Sequence, residues 1–288
     1  MAYKRINDSY VNGCRKEYIC DTDADFANLP EACTGSTAVS LESGKVYVVS
    51  TFGNWIPFGE GYVEKDPNAP LPAGIYVDGV MTASWDELLN EGIITVENGA
   101  IAEGDTTYSL SGCKLVIPDD GSVTSIKKEG FYETALDAVI IPDSITSIGY
   151  RAFAECSLTY VSIGKGVKRI ESLAFNCSLS IKTVKLSEGL LEIGAEAFSE
   201  CEIEEITIPN SVTSIENNAF DSNYSCKTLV VGSSVVNIGS SAFADCASLE
   251  SIIFKGTVTQ WNAIEKSDGW NDCVPATYVQ CTDGQVAL

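Results

Sequence analysis

The sequence predicts a mainly β protein: a right-handed solenoid of about six to seven coils with a parallel strand ladder, preceded by a small β-rich module. Three observations predict it. The stretch IIPDSITSIGYRAFAECSL at 140–158 returns as LSEGLLEIGAEAFSECEI at 186–203, IPNSVTSIENNAFDSNYSC at 208–226 and VGSSVVNIGSSAFADCASL at 231–249. Phe131, Phe153, Phe175, Phe198, Phe220 and Phe243 lie 22 or 23 residues apart, and Ile126, Ile148, Ile170, Ile193, Ile215 and Ile238 keep the same beat five residues earlier. One coil of that length cannot bury its apolar side alone, so successive coils must stack.

Each coil opens with an L-x-x-V-x-I run, as in Leu158, Val161 and Ile163 or Leu249, Ile252 and Phe254. Alternation of this kind marks a strand with one buried face, and the next coil should lay its strand alongside in register. A Pro or Gly ends the strand (Pro118, Pro142, Gly164, Pro209, Gly232). A second extended piece, V-T-x-I-G, follows. The A-F-x-x-C segment is too short for a full helix and reads as a helical turn whose Phe plugs the coil interior. Burial of each such Phe should contribute about 1.5–3 kcal/mol. Cys156, Cys201 and Cys246 stand three residues after that Phe, Cys177 two after and Cys226 six after. A small residue recurring at one coil position reads as a buried ladder rather than a redox or metal site.

The combined pattern L-x-x-V-x-I…V-T-x-I-G-x-x-A-F-x-x-C resembles the BspA-like leucine-rich repeat family over residues 110–258. The closing segment, 259–288, with Trp261, Trp270, Tyr278 and Cys281, looks like the C-terminal cap of such arrays. A lid is physically required, because the last coil would otherwise leave its core and a strand edge open.

Composition narrows the function. The formal net charge is −22, spread over the whole chain, and there is no histidine. General acidity disfavours nucleic-acid binding, which needs a clustered basic face. The missing imidazole removes Ser-His-Asp and Cys-His catalysis. No phosphate-binding glycine motif is present, and neither an enzyme nor a cofactor or bound metal is expected. No run of 18 apolar residues is present, so no membrane span is expected. The start, MAYKRINDSY, lacks the apolar core of an export signal. With no export signal, the eleven cysteines, an odd number without a C-x-x-C pair, read as reduced thiols.

In chain order, residues 1–62 read as a small, mostly β anchoring module. Residues 10–20 end in a strand, and 36–50 form two strands joined at Glu42-Ser43-Gly44-Lys45. Residues 54–58 form a last strand. Asp21, Asp23 and Asp25 have the spacing of the first calcium-loop ligands, but Phe26 replaces the turn Gly and Ala32 the bidentate Glu, so an acid-capped helix over 21–30 is the better reading. Residues 63–74, with three prolines, form a stiff linker. Residues 75–109 supply a short helix opened by Ser84, a strand at 93–96 and a turn at Glu97-Asn98-Gly99, a unit suited to cap the solenoid or to act as a spacer.

The order of words in residues 1–60, from MAYKRIND through DADFANLP and CTGSTAV to a G-K-V-Y-V strand and N-W, resembles the opening segment of virion structural proteins of tailed phages of gut Firmicutes, described as head-fibre or decoration proteins. That resemblance implies docking on a capsid or tail component through residues 1–62, and a symmetric homo-oligomer such as a trimer. Assembly in the host cytoplasm would then account for the absent export signal.

Binding is expected on the first strand of each coil, whose three x positions should face outward. The inner column is Val116, Ile140, Ser162, Lys185, Thr207, Val230 and Ile253; the next is Lys114, Ala138, Tyr160, Thr183, Glu205, Thr228 and Ser251; the outermost is Cys113, Asp137, Thr159, Lys182, Glu204, Lys227 and Glu250. Tyr160, Lys182, Lys185, Glu205 and Lys227 are the candidate ligand contacts, although exposed Lys, Thr and Glu are also what any solvated sheet shows. The leading expectation is a non-enzymatic virion surface protein whose solenoid adheres to a bacterial-surface or mucosal protein or glycan. The alternative is a bacterial BspA-like protein of the cell surface that binds host proteins or glycans.

Overall fold

The computed structural model describes residues 73–77, 80–91, 93–104, 110 and 112–288, together with five strands within residues 3–58. Those five are β1 (Tyr3–Asn7), β2 (Glu17–Cys20), β3 (Thr37–Ser40), β4 (Val46–Val49) and β5 (Trp55–Phe58), one sheet in sequence order. β3 and β4 pair antiparallel, as the two strands read from 36–50 require. The turn expected at 42–45, the helix expected at 21–30 with its aspartates, and most of the linker at 63–74 lie outside the described residues.

The repeats build two parallel ladders. The front ladder takes β10 (Lys114–Val116), β12 (Ala138–Ile141), β14 (Tyr160–Ile163), β16 (Thr183–Leu186), β18 (Glu205–Thr207), β20 (Thr228–Val231) and β22 (Ser251–Phe254). The back ladder takes β11 (Ser125–Ile126), β13 (Ser147–Ile148), β15 (Arg169–Ile170), β17 (Glu192–Ile193), β19 (Ser214–Ile215), β21 (Asn237–Ile238) and β23 (Glu265–Lys266). Each back strand is two residues long because only the Ile of V-T-x-I-G is needed inside. All six of these isoleucines are at most 1% exposed.

Between the ladders the phenylalanines form one continuous stack, with ring centroids 5.0–5.4 Å apart and planes within 9° of parallel. The A-F-x-x-C segment is not helical, which corrects the sequence reading. In every coil the residues two before and two after the Phe adopt a left-handed backbone, as at Arg151 (φ 53°) and Glu155 (φ 58°). Non-glycine residues adopt this conformation at a cost of about 1–3 kcal/mol. The compensation is visible: these residues aim their N–H groups along the solenoid, Glu155 N–H at Asn176 O (2.9 Å) and Glu200 N–H at Asp221 O (2.9 Å). The turns thus form a third hydrogen-bonded face that a helix could not supply.

Both ends are closed. At the start, β6 (Gly74–Val77) pairs antiparallel with β10 and with β7 (Val80–Ser84). β8 (Ile94–Glu97) and β9 (Ala100–Gly104) extend the back ladder, with Ile101 beside Ile126. Helix α1 (Trp85–Asn90) starts at Ser84 through a reciprocal box, Glu87 Oε2 accepting from Ser84 N–H at 2.7 Å. β6 begins at Gly74, inside the stretch read as linker. At the far end, α2 (Val258–Ala263), β24 (Tyr278–Gln280) and β25 (Gln285–Ala287) complete the front sheet. Trp261 and Trp270 are buried and Trp270 meets Phe243 edge-on at 6.3 Å, ending the stack. Tyr278, read as part of the lid, is 46% exposed, so it joins the closure through its backbone in β24 and not by packing its ring. The back ladder holds eight parallel rungs from Ile101 to Lys266, more than the Phe count implied, because its first and last rungs belong to coils without the Phe.

Candidate functional site

The front sheet sets Ala138, Tyr160 and Thr183 side by side, and likewise Ile140, Ser162 and Lys185. Glu205, Thr228 and Ser251 continue the first column beyond β16, as Thr207, Val230 and Ile253 continue the second. Lys182, Lys185, Glu205 and Lys227 are exposed and Tyr160 is half-buried. Lys185 Nζ lies 5.5 Å from the Tyr160 ring centroid, so these two form one cationic-aromatic contact across neighbouring strands. No hydrogen bond or ion pair joins Lys182, Glu205 and Lys227 to that pair among the described residues. Three x positions do not face solvent as expected: Cys113 (1% exposed), Val116 (5%) and Ala138 (6%) are buried. β10, which carries Val116, is flanked by antiparallel β6 and by β12, so it is an internal strand rather than an edge.

The front ladder is also interrupted. β16 and β18 belong to different sheets. The turn before β16 carries Leu179, which is 62% exposed. Val184 and Leu186, inward positions elsewhere, are only half-buried.

At the N-terminal half of the same face lies a cleft of about 780 Å³. Val116, Ile140 and Pro142 form its apolar floor, Lys114 stands at one end, and Asp119, Asp120 and Asp143 line the other. The aspartates are oriented by backbone N–H groups: Asp119 Oδ1 accepts from Ser144 (2.9 Å), Asp120 Oδ1 from Ser122 (2.8 Å) and Asp143 Oδ1 from Lys165 (2.7 Å). None of the three has an ion-pair partner among the described residues.

On the back sheet, sequence reading missed a charged cluster. Arg169 pairs with Glu171 (3.2 Å), Glu192 and, two coils on, Glu216 (3.0 Å). Glu216 Oε2 also accepts from Ala195 N–H at 2.9 Å. The Glu216 hydrogen bond and Arg169 hold Glu192 below its ordinary range, whereas burial and the Glu192 hydrogen bond push Glu216 above it. Burial opposes the charge of Arg169, yet its carboxylate partners keep it above the usual guanidinium value. The available signal was the break in V-T-x-I-G: Glu171 and Glu216 replace the Gly.

Cys156, Cys177, Cys201, Cys226 and Cys246 form no disulfide. Burial raises the Cys156 thiol to about 11 and that of Cys246 to about 12, so both stay protonated at neutral pH. Among the described residues no three Cys, Asp or Glu side chains are grouped to hold a metal ion. No described helix is long and apolar enough to cross a membrane.

The family model of the BspA type leucine-rich repeat region matches in six copies, over residues 106–227 and 148–264, more than half of the chain. The chain belongs to that family. Similar solved structures include the leucine-rich repeat protein of T. pallidum, at 24% identity and TM-score 0.49, over 55% of this chain and 76% of that one. A leucine-rich cell surface protein of Faecalibacterium prausnitzii is 19% identical with TM-score 0.44, over 82% of this chain and 45% of the other. The pneumococcal vaccine antigen PcpA is 18% identical with TM-score 0.34, over 79% and 83%. No curated protein matches. As a BspA-type repeat protein, the chain presents a hydrogen-bonded sheet whose inward residues are nearly constant and whose outward residues change from coil to coil.

Proposed function

We propose that this BspA-type chain is a non-enzymatic, surface-displayed binding protein whose front sheet contacts a bacterial-surface or mucosal ligand. The observation that carries the reading is the in-register front ladder. It fixes Tyr160 and Lys185 on neighbouring strands, with Lys182 just before the second of them, on a backbone that does not need to reorganise on binding. Glu205 and Lys227 extend that face beyond β16. The test is binding of the purified chain to immobilised mucin and to fixed bacterial cells. Charge reversal of Lys182, Lys185 and Lys227 together should weaken binding about tenfold, the scale expected from losing several rim charges. No binding to either surface, or binding unchanged by the reversal, would reject the reading.

A second reading is display on a virion through residues 1–62, favoured by the resemblance of that segment to head-fibre and decoration proteins. Immunogold electron microscopy against residues 110–258 separates the two. Label on particles supports the virion, and label on cell envelopes without particles supports the bacterial surface. The virion reading also requires a homo-oligomer held by residues 1–62, so a monomer in light scattering would count against it.

A further inference from the structure

The cleft over β10, β12 and β14 has a chemistry of its own. Among the described residues its floor is aliphatic, from Val116, Ile140 and Pro142, and no aromatic ring lines it. Its rim carries three aspartates, each with one oxygen fixed by a backbone N–H and none neutralised by a Lys or Arg among the described residues. Fixed carboxylates beside an apolar floor repel anionic polymers. A cation carried beside an aliphatic side chain satisfies both parts of the cleft at once.

We propose that this cleft docks an extended segment of a partner protein in which aliphatic residues are followed by basic ones. Laid along the strands, the aliphatic side chains would lie on the partly exposed Ile140 and Pro142, and the lysines or arginines that follow would reach Asp119, Asp120 and Asp143 at the end of the cleft. Lys114, at the opposite end, sets the polarity, favouring an acidic or carboxylate terminus there. The proposal rests on the binding reading above and narrows it from a protein or glycan to a protein at this half of the face.

The test is fluorescence polarisation on the full chain at physiological ionic strength, with a labelled hexapeptide of three leucines followed by three lysines. Because the chain is acidic throughout, site and background must be separated. The double variant Asp119→Asn with Asp143→Asn keeps the acceptor oxygens that hold the loop and removes two charges. Glu204→Gln with Glu250→Gln removes two charges outside the cleft. The first pair should weaken binding about tenfold and the second less than about twofold, since screened charges beyond the contact matter little. Equal losses in the two pairs, equal binding of a lysine–serine hexapeptide, or no saturable binding would each overturn the proposal. Mucin and cell binding, measured on the same preparations, tells the two levels apart. If they persist while the peptide fails, only the cleft assignment falls; if they too are absent, the binding reading falls with it.

Discussion

The Asn223 side-chain amide donates to the carbonyl of Phe198, one coil back, at 2.8 Å. The same place three residues after the Phe is held by Cys156, Ser178, Cys201 and Cys246, and each reaches the Phe carbonyl of the preceding coil: Cys156 to Phe131 (3.0 Å), Ser178 to Phe153 (2.8 Å), Cys201 to Phe175 (3.4 Å) and Cys246 to Phe220 (3.4 Å). The position therefore selects a small buried donor. Cysteine suffices, and serine or asparagine forms a stronger version of the same bond.

Removing the donor should leave the Phe198 carbonyl without its side-chain partner and the Ile203 N–H, which donates to Asn223 Oδ1 at 3.3 Å, without an acceptor. Asn223→Ala is expected to cost about 1–3 kcal/mol, read as a lower urea midpoint at unchanged slope. Asn223→Cys restores the donor used in three other coils and should recover part of that loss. Equal midpoints for the alanine and cysteine variants would show that the bond contributes nothing and only volume matters.

The ladder illustrates what was legible. The period, the Phe stack and the parallel strands follow from spacing, because burial imposes the same demand on every coil and the demand repeats in the letters. Ser178 and Asn223 do not show as rungs in the letters, because the position is defined by donor chemistry and not by one residue type. The left-handed turns are hidden for a related reason: Glu, Arg and Ser occupy them, where glycine would announce the conformation. The charged columns of the front face were readable as positions. The cleft was not, because it needs the loops of three successive coils to converge beside β6.

Burial also fixes the chemistry of the thiols. Iodoacetamide at pH 8 should modify Cys273, which is exposed, and leave Cys156, Cys201 and Cys246 untouched in the folded chain, as read by peptide mapping. The Cys273 thiol is itself raised by its hydrogen bond to Asp245, so its reaction should be slower than that of a free thiol. Rapid labelling of Cys156 or Cys246 before unfolding would contradict the ladder.

The Arg169 cluster gives stability a pH dependence. Glu216 sits above its ordinary value of 4.5, so the folded chain holds its proton more tightly than the unfolded chain. Its contribution is fully present below about pH 4.5 and is lost as pH rises through the raised value. Glu192 is shifted the other way, and its contribution is present above 4.5 and lost as pH falls through its lowered value. Glu216→Gln keeps an acceptor for Ala195 N–H and removes the titration. Thermal melts of the wild type should lose stability on going from pH 4.5 upward by an increment missing in Glu216→Gln. Parallel pH profiles would exclude a shared proton at this cluster.

The interruption between β16 and β18 should be visible in exchange. An amide whose neighbour strand is not hydrogen-bonded is protected from one side only, and local opening there requires little disruption. Peptides covering 183–186 and 205–207 should therefore exchange faster than those covering 160–163 and 251–254, whose strands are paired on both sides. Val184 and Leu186, half-buried where their counterparts in the other coils are buried, belong to the same loosened place. Exchange in 183–186 and 205–207 as slow as in 160–163 would show that the two strands pair in solution after all.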